Sequence, residues 1–374
     1  MIYLDNAATT FPKPGRVIDA VNTCLKKYCG NPGRSAHRLS VRASEEIYAV
    51  REAVSTLIGA EKTEGVVFTY NATHALNLAI KTKITEKCHV LVSDVEHNSV
   101  IRPLEKLKST LGVDYSLFSS DSPEESISAL VRDDTRFIIS TLASNVTGEK
   151  IPLDKLSLLA ERYDLGLIVD ASQAIGHTDI NLMKTPCDVL CAPAHKALFG
   201  IQGCGFAVFA DTKRSDSFIE GGSGSDSINT EMPELLPEGY EAGTLSTPAI
   251  AALGGGISFI NDVGIGEIER KLCKMTDMLK ERIISVKGTV LYPSCGGIVS
   301  FNLRGYPSAV VARELDKYGI CVRGGLHCAP SAHRRLATLD KGTVRLSLSY
   351  LNSERELDGF YKALRNISLT YSSV

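Results

Sequence analysis

The chain has 374 residues, 44% of them apolar and 22% charged, and its 41 Lys plus Arg nearly cancel its 43 Asp plus Glu. That size fits two domains with substantial buried cores, and the composition excludes a disordered tail. The charge balance gives no reason to expect nucleic acid or a membrane surface as the main partner. No run approaches the ~20 apolar residues needed to cross a bilayer. The opening MIYLDNAATT lacks the basic and apolar regions of a signal peptide. Ten cysteines occur without paired zinc-type spacing, Cys187 and Cys191 being four apart and Cys321 and Cys328 seven, so no metal site is expected. Free thiols in a chain of this kind fit a reducing cytoplasm.

From residue 40, SVRASEEIYAVREAVSTLIGA places Ile47, Val50, Val54, Leu57 and Ile58 on one helical face, with Gly59 as a stop. GVVFTY (65–70) reads as a strand and NATHALNLAIK as the helix after it. Further strands are expected at HVLVSDVEH (89–97), TRFIISTLASN (135–145), LGLIVDASQ (165–173) and DVLCAPAHK (188–196). Short β-branched runs alternating with helical segments predict a mainly parallel sheet covered on both faces. Residues 220–248 break the pattern with a Gly-, Ser-, Pro- and Glu-rich stretch. Loops of that length inside a compact domain are usually functional or reach across an interface. Beyond it come a long helix (GEIERKLCKMTDMLKERIIS), strands at GGIVSFNLRG and GICVRGG with the helix SAVVARELDKYG between them, and a strand at GTVRLSLSY. A Ser353-x-x-Glu356 capping box opens the last helix. These elements make a second, smaller α+β domain.

In open α/β sheets, ligands bind beyond the carboxyl ends of the strands. The polar residues at those ends are Thr73, His97, Asn145, Asp170 with Gln173, and the pair His195-Lys196. Each alone has an ordinary explanation. Asp170 fits a helix N-cap, His97 a satisfied core histidine and Lys196 a snorkelling surface lysine. Their convergence on one sheet edge argues for more. A lysine and an aspartate at neighbouring strand ends suit pyridoxal phosphate (PLP). The lysine forms the Schiff base, and the carboxylate pairs with the pyridine nitrogen and keeps the ring an electron sink. The strand-turn-helix at FTYNATHALN supplies a weak additional signal, an anion cup at a helix start.

The ordered set YLDNAATT, NPGRSAH, VEHNSV, SNVTGEKIPL, VDASQAIGH, APAHK, YEAGT and RGGLHCAP resembles the class V aminotransferase superfamily over residues 2 to about 365. Within it, RGGLHCAP followed by VRLSLSYLN resembles the cysteine desulfurases and selenocysteine lyases of the group with a short catalytic loop. The resemblance implies an α/β fold, PLP-dependent transferase fold type I. Residues 16–258 would form the large PLP-binding domain. Residues 1–15 and 259–374 would form the small domain carrying the cysteine loop and a substrate-carboxylate arginine. It implies Lys196 as the Schiff-base lysine, Asp170 on the pyridine nitrogen and Gln173 on the ring hydroxyl. His97 would stack on the ring, and Asn145 would lie beside the ring hydroxyl and the substrate. Thr73, the amide of His74 and His195 would hold the phosphate, with Thr244 reaching the phosphate of the neighbouring subunit of a homodimer. Arg345 would clamp the substrate carboxylate. Cys328, with glycines before it and basic residues after it, would take the substrate sulfur as a persulfide. Its loop would move to deliver that sulfur to an acceptor protein.

The implied reaction converts L-cysteine to L-alanine. Selenocysteine lyase on L-selenocysteine, another class V aminotransferase or lyase, and a PLP-binding scaffold without turnover are the alternatives. Four departures from the family pattern stand out. Pro193 occupies the usual phosphate-binding hydroxyl position, and Ala72 lies in the TYNATH turn where a hydroxyl is common. Leu326 replaces a frequent histidine, and the segment CAPSAHRRLATLDKG after the cysteine diverges.

Overall fold

The computed structural model describes residues 1–33, 35–224 and 228–371. Arg34 of the NPGRSAH motif and residues 225–227 of the long loop lie outside them. Along the chain the strands are β1 (Ile2–Tyr3), β2 (Val66–Thr69), β3 (His89–Ser93), β4 (Asp114–Phe118), β5 (Thr135–Thr141), β6 (Gly166–Asp170), β7 (Val189–Pro193), β8 (Gly205–Phe209), β9 (Thr289–Leu291), β10 (Ile298–Leu303), β11 (Ile320–Cys321), β12 (Arg323–Gly325) and β13 (Thr343–Ser347). The helices are α1 (Gly15–Lys27), α2 (Arg38–Leu57), α3 (Ala72–Lys83), α4 (Asn98–Leu111), α5 (Pro123–Leu130), α6 (Leu153–Tyr163), α7 (Thr247–Val263), α8 (Ile265–Ile284), α9 (Ser308–Lys317), α10 (Pro330–Arg335) and α11 (Glu354–Tyr371).

Seven strands form the main sheet in the order β2-β8-β7-β6-β5-β3-β4. Its pairs are parallel except for those of β8, which runs antiparallel to both β2 and β7. The period of two in a strand decides which core each side chain joins. Ile138, Leu167, Val169 and Leu190 enter one core with α2 and α7. Their neighbours Ile139, Ile168, Val189 and Cys191 enter the other, with Leu76 and Leu78 of α3 and Leu104 of α4. The run of strands is therefore apolar on both faces, as a covered parallel sheet requires. Two strands of this sheet, besides β1 and β9 elsewhere, lie outside the sequence expectations. Edge strand β4 reads Asp-Tyr-Ser-Leu-Phe with only Phe118 buried, so it carries no clear apolar signature. Strand β8 lies in the glycine-flanked run after the His195-Lys196 pair.

A second sheet, β12-β13-β10-β9, is wholly antiparallel. The N-terminal segment bridges the two sheets. β1 pairs with β11, the Asn6 N–H donates to the Ser347 carbonyl, and the Thr10 N–H donates to the carbonyl of His195. Helix α7 continues unbroken across residue 258 to Val263, and α8 leaves it at 81°. Its Gly256 is required by close approach, since a Cβ there would sit 1.9 Å from the Leu198 carbonyl oxygen. That contact seats α7 against the turn following Lys196. The Ser353 backbone N–H donates to Glu356 at 2.7 Å, which is the returning half of the expected capping box. Among the described residues no single helix is long and apolar enough to cross a membrane.

Candidate active site

The carboxyl ends of β3, β5, β6 and β7 point to one edge of the main sheet, and the turns leaving them enclose a cavity of about 230 Å³. Its walls bring together Thr73, His97, Asn145, Asp170, Gln173, His195, Lys196 and Arg345. Two residues of the wall, Asn71 and His97, are helix caps. Asn71 caps α3 by accepting from the His74 N–H at 2.9 Å. His97 caps α4, its Nδ1 accepting from the Ser99 N–H at 3.0 Å.

Lys196 follows β7 at the base of the cavity. Burial lowers its pKa to about 8, with Arg345 and Arg323 acting in the same direction and Asp170 opposing them. The amine thus gives up its proton far more readily than an ordinary lysine, although at pH 7 the ammonium still predominates. Asp170 is buried, and one oxygen accepts from the Ser172 N–H at 2.9 Å. Burial, then the charge of Lys196, pushes His97 down to about 4, and the same two causes with Lys13 hold His195 at about 4. Both rings are neutral at pH 7.

Arg345 is the largest fully buried side chain. One guanidinium nitrogen donates to the Asn145 carbonyl at 2.9 Å and another to Asp5 at 2.8 Å, while Nε has no partner. Asn145 donates to the His327 carbonyl at 2.7 Å and leaves its own buried Oδ1 unpartnered, as His195 leaves Nδ1. With His327 Nδ1, four orphaned polar atoms on residues lining one cavity mark it as built for a polar occupant, because a buried unpaired group costs about 1–3 kcal/mol. A carboxylate at one place, an amine with a lowered pKa at another and hydroxyls beside a helix start are the donor set that PLP needs.

Cys328 is exposed at the rim, beside two wall residues. His327 precedes it, and the Arg323 guanidinium lies 3.8 Å from its Sγ. Both His327 and Cys328 adopt left-handed φ values, 52° and 58°. For non-glycine residues that conformation costs about 1–2 kcal/mol each. The loop is nevertheless firmly tied. The Asn98 N–H donates to the Cys328 carbonyl at 2.7 Å, and the buried His327 ring meets Thr343 at 3.1 Å. These contacts hold the loop against α4 and β13.

Two expected residues lie elsewhere. The His74 amide is taken by Asn71, and its ring stacks on Tyr70 at 5.1 Å beside a separate small cavity. Thr244 lines that same second cavity, away from the Lys196 of its own chain. Gln173 does line the main cavity, but its amide N–H is given to the Ala7 carbonyl at 3.0 Å. Pro193 and Ala72 also line the wall, offering no hydroxyl.

The structure adds residues that sequence reasoning missed. The Ser99 hydroxyl lies 2.7 Å from that of Thr73 and 2.8 Å from His97 Nδ1, so a hydroxyl pair stands beside the start of α3. Arg323 faces Arg345 across the β12–β13 ladder, placing a second guanidinium in the wall. Thr9, Thr10 and Lys13 converge on the His195 carbonyl at 3.1, 3.2 and 3.1 Å and fix the peptide that carries Lys196. The NSV after His97 and the TTFPK after the opening asparagine were the available signals.

Residues 2–360 match the family described as aminotransferase class-V, and the chain belongs to that family. Its α/β architecture with a mainly parallel central sheet is the type I fold of these enzymes. Within the family its similarity is to cysteine desulfurases. It is 32% identical to a probable cysteine desulfurase of Methanothermobacter thermautotrophicus, over 98% of this chain and 94% of that protein. A solved cysteine desulfurase from Thermococcus onnurineus NA1 superposes with a TM-score of 0.87 at 27% identity, covering 99% of this chain and 95% of the other. One from Escherichia coli also gives 0.87, covering 99% and 94%, but at 22% identity that likeness concerns the fold alone.

Proposed function

We propose that this chain is a PLP-dependent cysteine desulfurase that converts L-cysteine to L-alanine and retains the sulfur as a persulfide on Cys328. The observation that carries the reading is one cavity flanked by an amine of lowered pKa, Lys196, and a rim thiol, Cys328, with a buried guanidinium, Arg345, whose Nε is unpartnered. Lys196 would hold PLP, which when bound would supply the electron sink that makes the substrate's α-proton removable. Asp170 would pair with its ring nitrogen, His97 would stack on the ring, Gln173 and Asn145 would serve its hydroxyl, and His195 with the Thr73–Ser99 pair would hold the phosphate. Ser99 would then supply the donation that Pro193 lacks.

Arg345 holds the substrate carboxylate through its free donors. Lys196, in its neutral form, would accept the α-proton. The Cys328 thiolate attacks the substrate sulfur. The S–S bond forms as the Cβ–S bond breaks, the electron pair left on the Cβ side takes up a proton there, and Lys196 returns the α-proton to Cα to give alanine.

In this reading residues 16–258 form the PLP-binding domain, with 1–15 and 259–374 as the small domain. Thr244 serves the partner subunit of a homodimer, an acceptor protein takes the sulfur, and the ten free thiols sit in a reducing cytoplasm. Alanine release from L-cysteine by the PLP-loaded protein tests the reading. Lys196→Ala is expected to abolish it, and an active variant removes Lys196 from this role.

A further inference from the structure

The segment after Cys328 is where this chain departs from the family pattern, and it contains Arg335, an arginine with several side-chain partners. Arg335 ends α10, seven residues beyond Cys328. Its side chain is only 19% exposed although its partners Asp121 and Glu149 are 64% and 31% exposed. Its Nε donates to Asp121 Oδ2 at 3.2 Å and its Nη2 to Asp121 Oδ1. Nη1 donates to Ser120 Oγ and to Glu149 Oε2, both at 3.2 Å, and Nη2 reaches Glu149 Oε1 at 3.4 Å.

These partners sit on two loops, each tied to a segment that lines the active site. Ser120 follows β4, and its N–H is held by Asp94, just before Glu96 and His97. Glu149 ends the turn that carries Asn145. The Thr147 hydroxyl fixes its carboxylate at 2.8 Å, and Asn145 in turn holds the His327 carbonyl. Helix α10 is itself stiffened by the buried His333, bonded to Thr338 at 2.8 Å and 5.5 Å from the His327 ring. The Cys328 loop is therefore gripped at one end by β12 in the small sheet and at the other by α10, and α10 is fastened to the large sheet through Arg335. Two consecutive left-handed residues within that span need such an external restraint to persist.

We infer that Arg335 is a positioning residue for Cys328, a two-carboxylate clasp that keeps the strained loop folded over the cavity so that the thiol meets the substrate sulfur. The catalytic part of this inference rests on the function proposed above. The clasp itself does not, because loop position has a readout that needs no turnover.

The test uses the PLP-loaded wild type, Arg335→Ala and Arg335→Lys. Alanine release from L-cysteine with excess dithiothreitol gives kcat and KM, and peptide mass spectrometry gives the rate at which iodoacetamide alkylates Cys328. Arg335→Ala is expected to lower kcat by about tenfold with KM within about twofold, since the carboxylate site at Arg345 is untouched. Its Cys328 alkylation should rise by about threefold or more as the loop opens. A lysine pairs with one carboxylate as a point charge and cannot bridge two in a planar fork, so Arg335→Lys should fall between. Alkylation within twofold of wild type in Arg335→Ala overturns the clasp, as does an unchanged kcat. A wild type that releases no alanine overturns the proposed function, while the alkylation comparison still decides whether Arg335 holds the loop. If Arg335→Ala does not fold, Asp121→Asn combined with Glu149→Gln removes the same grip from the other side and is read by the same two measurements.

Discussion

An ammonium taken out of water must be paired, lose its proton or be bonded, and among the described residues no carboxylate forms an ion pair with the buried Lys196. Its pKa of about 8 follows from burial, and the Asp170 charge only partly offsets it. Only a neutral amine attacks an aldehyde, so PLP capture by the cofactor-free chain should accelerate with pH and level off above about 8. Stopped-flow absorbance of the growing imine measures this. A rate still climbing beyond about pH 10, the range of an ordinary lysine, would contradict the lowered pKa. The residues legible from sequence were those whose type is unusual for their place, a lysine, an aspartate and histidines at strand ends. Arg323, Ser99 and Lys13 were hidden because arginine, serine and lysine are unremarkable in loops and edges. Only the fold brings them to the cavity wall or to the carbonyl behind Lys196.

Among the elements, the long loop ending in Thr244 shows how a segment without apolar periodicity is held. Glu241 within it forms a buried two-pronged pair with Arg51 of α2, both contacts at 2.9 Å, and accepts the Phe68 N–H of β2 at 2.6 Å. Arg51 also lies over the Phe68 ring. Removing one member of such a pair leaves a buried charge, so Arg51→Met should destabilise the fold by about 3–5 kcal/mol. Adding Glu241→Leu should recover much of that loss. Urea unfolding of the single and double variants checks both, and a double variant no better than Arg51→Met contradicts the uncompensated-charge account. Sequence periodicity placed α2 and the parallel strands β3, β5, β6 and β7, because apolar side chains in a doubly covered sheet leave a continuous signature. It could not place β4, whose edge position leaves most of it exposed. Nor could it reveal that Arg51, on the face opposite to solvent, was waiting for an acid 190 residues away.

For the whole molecule, neutral histidines buried in the native state set the response to acid. Burial holds His97, His177, His195 and His333 at about 4 and His327 lower still, whereas an unfolded chain titrates them near 6.5. Between those values the unfolded state binds more protons, so stability is lost as pH falls from about 6.5 toward 4. Glu96 and Glu241 work the other way. Burial raises Glu96 to about 8 and Glu241 above its usual range, so the folded state gains protons there as pH falls. Five histidines outnumber two glutamates, and the cofactor-free chain should unfold at progressively lower urea between about pH 6.5 and 5. A midpoint that is flat or rising across that window would contradict the assignment of neutral rings.

The most direct test of the proposed function compares alanine release from L-cysteine by the PLP-loaded wild type and Cys328→Ala, with L-selenocysteine as a parallel substrate. The account predicts an active wild type and a variant that loses cysteine turnover. Activity on selenocysteine alone, surviving the substitution, would contradict it and leave Cys328 a bystander at the rim.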